Sequence, residues 1–123
     1  MIKLVYCIRK RADVPADKFH RYWHEQHGPL VKSVAKAIRA RKYIQSHTME
    51  TELNALFVQS RGLAPAYDGI TEVWWDSLDA LQAGMETEEG REAHRRLLED
   101  EKTFIDFSQS RVFMTEEKPI FDL

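Results

Sequence analysis

The most constraining feature of this chain is a set of short strand-forming runs that carry apolar residues on both faces. Along residues 2–9, Ile2, Leu4, Tyr6 and Ile8 fall on one side, and Lys3, Val5, Cys7 and Arg9 on the other. In the third run, 68–76, Val73 and Trp75 oppose Ile70 and Trp74. In the fourth, 109–115, Val112 and Met114 oppose Phe113. The second run, 42–49, alternates Tyr43, Gln45, His47 and Met49 against Ile44, Ser46 and Thr48. A sheet built from these strands needs cover on both faces.

The intervening segments supply helices for one face. Pro15 suits the first turn of a helix, with Asp13 near enough to help satisfy its free donors. Phe19, Tyr22 and Trp23 then follow on one helical stripe, and Gly28-Pro29 stops it. Leu30, Val31, Val34, Ala35 and Ile38 predict a second helical segment over 29–39. Residues 52–60 can form a short helix before a Gly/Pro loop over 61–66. Asp76 or Ser77 caps another through Leu78 and Leu81, ended by Gly84. Thr87 caps the last long helix, 88–104, with Ala93, Leu97 and Phe104 on its stripe.

The order β, α, β, β, α, β predicts an α+β, ferredoxin-like fold: a four-stranded antiparallel sheet with helices on one face. The 123 residues suit one domain, 1–123. The simplest cover for the second sheet face is an identical subunit, so a homodimer through the sheet is expected.

Composition excludes several classes. A formal charge of −2 argues against nucleic acid or an anionic membrane as partner, and no apolar run is long enough to span a bilayer. The short basic run Arg39–Lys42 does not change that. Met1–Lys10 reads as a strand rather than a secretory leader, and Cys7 is the sole cysteine. No intrachain disulfide is possible, so a cytoplasmic setting is expected. Cys7 itself reads as a packing residue.

His27 is the leading candidate for chemistry. It falls at the predicted end of the first helix, where the helix dipole favours protonated imidazole, and an imidazole exchanges protons near neutral pH. A helix-end histidine bonded to a carbonyl is the plain alternative. His47 shares a strand face with Tyr43 and Gln45, a polar row that makes either a structural network or a wet cleft. If His27 approaches that row, two imidazoles and a phenol form an acid–base set. Phe19 and Trp23 read as core or as the apolar wall of a pocket. Glu72 reads as a strand-end charge or as an orienting carboxylate. His94 lies in a charged helix and is expected in solvent.

His20, His24 and His27 fall at i, i+4 and i+7, but no carboxylate or cysteine completes a metal site, so no metal is expected. There is no phosphate loop, zinc ribbon or nucleophile elbow, and nothing requires haem at His47. No cofactor is expected.

The stretch Phe19-His-Arg-Tyr-Trp-His-Glu-Gln-His27-Gly-Pro-Leu30 resembles the signature of EthD-domain proteins. Tyr43-Ile-Gln-Ser-His47, then Tyr67 to Trp75 with Ser77-Leu78, then Phe104-Ile-Asp106 with Ser110, are similar to later elements of that family. The resemblance implies a homodimeric α/β barrel whose wider superfamily includes cofactor-free isomerases, lyases and cyclases, and oxygenases. Two departures stand out. Arg39-Ala40 occupies a place where relatives often carry glycine, and the 50–66 connection is long enough to lid or fill a pocket.

Residues and resemblance together lead to a cofactor-independent acid–base enzyme, an isomerase, lyase or cyclase, acting on a small, partly apolar carbonyl or carboxylate compound. In it His27 and His47 move protons, Tyr43 orients or donates, and Phe19, Trp23 and Gln45 bind substrate. The alternative is a non-catalytic dimeric ligand-binding or accessory protein of an oxidative pathway. An oxygenase is the third reading.

Overall fold

The computed structural model describes residues 1–123. Four strands, β1 (Ile2–Ile8), β2 (Lys42–His47), β3 (Gly69–Trp75) and β4 (Arg111–Glu116), form one antiparallel sheet in the order β2-β3-β1-β4. Register decides which residues share a face. Leu4 pairs with Val73 and Met114, and Tyr6 with Thr71 and Val112, so these point toward the helices. Val5 pairs with Glu72 and Phe113, and these point away.

The helices are α1 (Ala16–Tyr22), α2 (Gly28–Val34), α3 (Glu52–Arg61), α4 (Leu78–Glu86) and α5 (Glu88–Glu101). Thr51, Ser77 and Thr87 accept backbone N–H groups at the starts of α3, α4 and α5. No side chain caps α1, because Asp13 pairs with Arg11 at 2.9 Å instead.

Gly28-Pro29 does not stop the first helix. Trp23–His27 form a π-helical turn that carries the chain from α1 into α2, and Gly28 keeps helical angles of −54° and −51°. In a regular α-helix the Pro29 ring would meet the Glu25 carbonyl. The wider turn just before it relieves that clash. Gly84 likewise does not end α4. It is buried where an added Cβ would come within 2.8 Å of the Ile38 carbonyl oxygen, so its smallness lets α4 approach the chain leading into β2.

Two apolar clusters pack between helices and sheet. One holds Ile8, Phe19, Trp23, Phe104 and Ile105. The other holds Val34, Ile38, Val73, Trp75 and Ala93. Trp75 faces the helices, its indole N–H donating to the Ile38 carbonyl at 2.8 Å. Trp74 lies on the opposite sheet face, beneath the ammonium groups of Lys3 and Lys42, and donates to Glu117 at 2.7 Å. Glu72 pairs with Lys3 on this face at 2.8 Å and orients no histidine.

No helix covers that second face, where Ile44 and Phe113 stay 39% and 49% exposed. The segment between β2 and β3 neither lids nor fills the space under the helices. Its helix, α3, buries no residue and leaves Leu53, Leu56 and Phe57 exposed. No helix is long and apolar enough to cross a membrane.

Arg39 is the one non-glycine residue with positive φ, at 62°. It occupies the position where the sequence departs from glycine, and a Cβ there is strained. Arg39→Gly is expected to raise unfolding free energy by roughly 0.5–1 kcal/mol, measured by urea denaturation. A loss of stability would show that the arginine side chain outweighs the backbone strain.

Candidate functional site

The π-helical turn positions the site. It presents Trp23 and His27 on the buried side of one helical rod. Trp23 is seated on β3 at Gly69, where a Cβ would come within 2.4 Å of the indole. Only glycine leaves room for this contact. The turn also leaves the Trp23 carbonyl accepting both from the Gly28 N–H and from Gln45 Nε2, the latter at 2.8 Å.

Between the helices and the sheet lies a cavity of about 530 Å³ with a mostly apolar lining. Leu4, Val31, Val73, Trp75 and Leu97 are among its walls. Its polar groups are His27, Tyr43, Tyr6, Thr71, Glu101 and His94, with Ser110 and Arg111 at the β4 end. That size and balance suit a small molecule with few polar groups.

His27 is buried and its Nδ1 bonds to Asp100 Oδ2 at 2.7 Å. Tyr22 donates its hydroxyl to the other oxygen of the same carboxyl. With Asp100 accepting from Nδ1–H, Nε2 is the nitrogen left for chemistry. Burial pushes the imidazole below its ordinary pKa, and Asp100 pulls it partly back. The helix-dipole expectation therefore does not hold. The helix continues past His27, so no free helix end faces the ring, and burial dominates.

Glu101, one residue beyond Asp100 on α5, is pushed up to about 7 by burial, with the Asp100 charge adding and the Tyr6 hydroxyl opposing. A carboxyl in that range holds or releases a proton near neutrality. Tyr6 is raised well above its ordinary value by burial and by the Glu101 charge. His94 was expected in solvent, but it is half-buried and lines the cavity. Its Nε2 is occluded and has no hydrogen-bond partner.

Tyr43 reaches the cavity from β2, accepts from Gln45 Nε2 at 2.8 Å, and is raised by burial. Gln45 and His47 share its strand face but do not line the cavity. His47 stacks on Trp23 with ring centroids 4.3 Å apart, bonds Gln45 Oε1 through Nε2 at 2.8 Å, and meets His20 Nδ1 at 2.8 Å. Burial and the neighbouring His20 and His24 lower its pKa. His47 and Gln45 open instead on an outer groove with Lys32, Arg41 and Lys42. His27 and His47 thus stand in different compartments, with Trp23 on the wall of the first. Phe19 is fully buried among Ile8, Trp23 and Phe104 and does not line this cavity. His20, His24 and His27 do not converge, since His20 pairs with His47, His27 with Asp100, and His24 is exposed.

The sequence does not single out Asp100 or Glu101, and it assigns His94 to solvent. A signal existed. On a helical wheel, Glu101 and His94 lie beside the Ala93–Leu97–Phe104 stripe, and titratable groups bordering an apolar stripe invite burial.

A family model described as EthD domain matches residues 11–108. No curated protein matches the sequence. Among solved structures, an ethyl tert-butyl ether D (EthD) family protein from Bacillus halodurans superposes with TM-score 0.62 and 19% identity, covering 96% of this chain and 99% of the other. A dimeric protein of unknown function with a ferredoxin-like fold from Bacteroides fragilis gives 0.59 and 13%, covering 94% and 95%. A dimeric ferredoxin-like protein of unknown function from Thermobifida fusca gives 0.59 and 16%, covering 93% and 88%. At these identities the likeness is one of fold.

The raised pKa of Glu101 gives a pH signature. The folded state holds this proton more tightly than the unfolded chain, so ionising Glu101 destabilises the fold as pH rises from about 4.5 to about 7. Glu101→Gln removes that loss. The stability difference between variant and wild type should widen across this window by at most about 3 kcal/mol, then level off. Denaturation at a series of pH values checks it. A difference independent of pH would mean the carboxyl titrates normally.

Proposed function

The chain belongs to the EthD domain family, and we propose that it is a cofactor-independent acid–base enzyme acting on a small, largely apolar carbonyl or carboxylate compound. The observation that carries this reading is the pairing, in one apolar cavity, of a neutral His27 braced by Asp100 with a Glu101 carboxyl poised near pH 7.

The chemistry follows from these groups. A ligand C–H beside a carbonyl loses its proton to His27 Nε2, and the bonding pair moves onto the carbonyl oxygen. Asp100 stabilises the imidazolium so formed. Where the carbonyl is β,γ-unsaturated the electrons spread over a dienolate, Glu101, protonated, returns a proton to its γ carbon as the C=C moves into conjugation, and His27 then passes its proton back to the carboxylate through solvent. The net change is isomerisation; loss of a β-substituent instead of reprotonation gives a lyase. Tyr43, already accepting from Gln45, has its own hydroxyl proton free to hydrogen-bond the carbonyl oxygen as charge develops. His47 acts through Gln45, whose amide it holds toward Tyr43. It is a positioning residue here, not a catalytic one.

The protein pairs with a second copy through the uncovered sheet face. Support comes from the apolar groups Val5, Ile70, Trp74 and Phe113 on that face and from the dimeric neighbours.

Two experiments test these proposals. Solvent-deuterium incorporation into a panel of small cyclic ketones should be accelerated by the wild type. His27→Gln and Glu101→Gln should each lose roughly 100-fold or more, and His47→Gln no more than about threefold. Saturable binding without exchange anywhere in the panel would instead support the non-catalytic reading. Sedimentation equilibrium should give a dimer for wild type and a monomer for Phe113→Asp. An unchanged mass in the variant would rule out the sheet face.

A further inference from the structure

His47 lies outside the cavity, yet a hydrogen-bonded chain ties it to Tyr43 on the cavity wall. One backbone carbonyl sets the direction of that chain. Gln45 points Nε2 at the Trp23 carbonyl, 2.8 Å away, and a carbonyl only accepts, so this end of the amide is the NH2. The same nitrogen donates to the Tyr43 hydroxyl at 2.8 Å. Gln45 Oε1 is then the atom facing His47 Nε2 at 2.8 Å, and an oxygen there requires Nε2–H. A neutral His47 therefore has a bare Nδ1. His20 Nδ1 lies 2.8 Å from it and brings the hydrogen between them.

The pair joins α1 to β2, since His20 is on the helix and His47 at the end of the strand. It also clasps Trp23. His47 stacks on the indole with centroids 4.3 Å apart, and Gln45, which it orients, holds the Trp23 carbonyl. Only one hydrogen fits between two nitrogens 2.8 Å apart. A first extra proton can go to His20 Nε2, and the Nδ1–H···Nδ1 bond survives with the charge strengthening it. A second, on His47 Nδ1, sets N–H against N–H between two cations.

The surroundings add positive charge rather than relieve it. His24 lies edge-on to His47 with centroids 6.0 Å apart, and Lys32, Arg41 and Lys42 line the same outer groove, which no carboxylate lines. Asp68, just before the Gly69 that lies opposite His47, accepts from the Lys10 N–H at 2.8 Å. Asp17, Lys18, Arg21 and Glu25 on the helical rod are exposed, where solvent screens them.

We propose that His20 and His47 form a latch between the first helix and the sheet edge, which holds the Trp23 wall of the cavity through one shared hydrogen and opens when both imidazoles are protonated. At neutral pH the wall is closed, and Tyr43 keeps its hydroxyl proton for a ligand. In acid His47 leaves Trp23 and Gln45, and the cavity loosens on that side. The latch stands on this geometry alone; only its effect on turnover rests on the acid–base reading.

Long-range proton–nitrogen NMR spectra of the full chain, with isotope-labelled histidine, follow each imidazole from about pH 8 to about pH 4.5. At the upper end His47 should carry its proton on Nε2 and show through-space contacts with the Trp23 indole. Acid should charge His20 first, with those contacts unchanged, and His47 only later, as they vanish. His20→Asn supplies an amide N–H in place of Nδ1–H and can turn its carbonyl there once His47 is charged. In this variant His47 should become charged about one pH unit higher and keep its contacts with Trp23. Deuterium incorporation into the cyclic ketones should fall, below the wild-type His47 transition, roughly three- to tenfold further in wild type than in His20→Asn. A neutral His47 protonated on Nδ1 overturns the latch. So do wild-type contacts with Trp23 that survive the charging of both rings, or a His20→Asn variant that loses them as wild type does. If neither protein exchanges deuterium, the acid–base function falls and the spectra alone decide the latch.

Discussion

Everything at the site depends on how Trp23 is seated. Its indole lies on the bare backbone of Gly69, a contact closer than any side chain on β3 would permit. That contact fixes the helical rod over the sheet. The π-helical turn that follows brings His27 round to Asp100 on α5. Regular α-helical geometry would rotate His27 relative to Trp23 and set the Pro29 ring against a carbonyl. A wide turn is thus where sequence strain and site geometry are resolved together. The same indole walls one side of the cavity and stacks on His47 at its other face.

The cavity electrostatics follow from low polarity more than from dense charge. His27 and Glu101 are both moved toward neutrality by burial, in opposite directions on the pH scale. One becomes a base that is free at neutral pH and the other an acid still partly loaded with its proton. Asp100 acts on both, stabilising charge on His27 and discouraging it on Glu101. A more solvated pocket would return both groups to their ordinary values and erase the difference in role.

Much of the fold was legible in the chain. The alternation in β1, β3 and β4 established a sheet with two apolar faces, and the hydroxyl caps Ser77 and Thr87 marked helix starts correctly. Gly28, Pro29 and Gly84 misled for a common reason. Each is ordinarily a helix breaker, but the tertiary structure uses Gly28-Pro29 after a π turn and Gly84 for close approach to Ile38. His27 and Tyr43 stood out from their neighbours in sequence, and both line the cavity. His47 stood out equally and does not, because strand alternation gives a face without saying which compartment along that face a residue enters.

The element order, the need for cover on a second sheet face, and the membership signalled by the His27-Gly-Pro segment can all be read from the chain. These depend on local periodicity and on residue chemistry, which a linear pattern carries. Folding in three dimensions is what sets Asp100 against His27, buries Glu101 enough to titrate near neutrality, turns Trp75 rather than Trp74 to the helices, and leaves His94 Nε2 without a partner. Each of those depends on groups that are distant in sequence or on burial by several elements at once. Burial and distance are properties of the assembled core, and no window of sequence contains them.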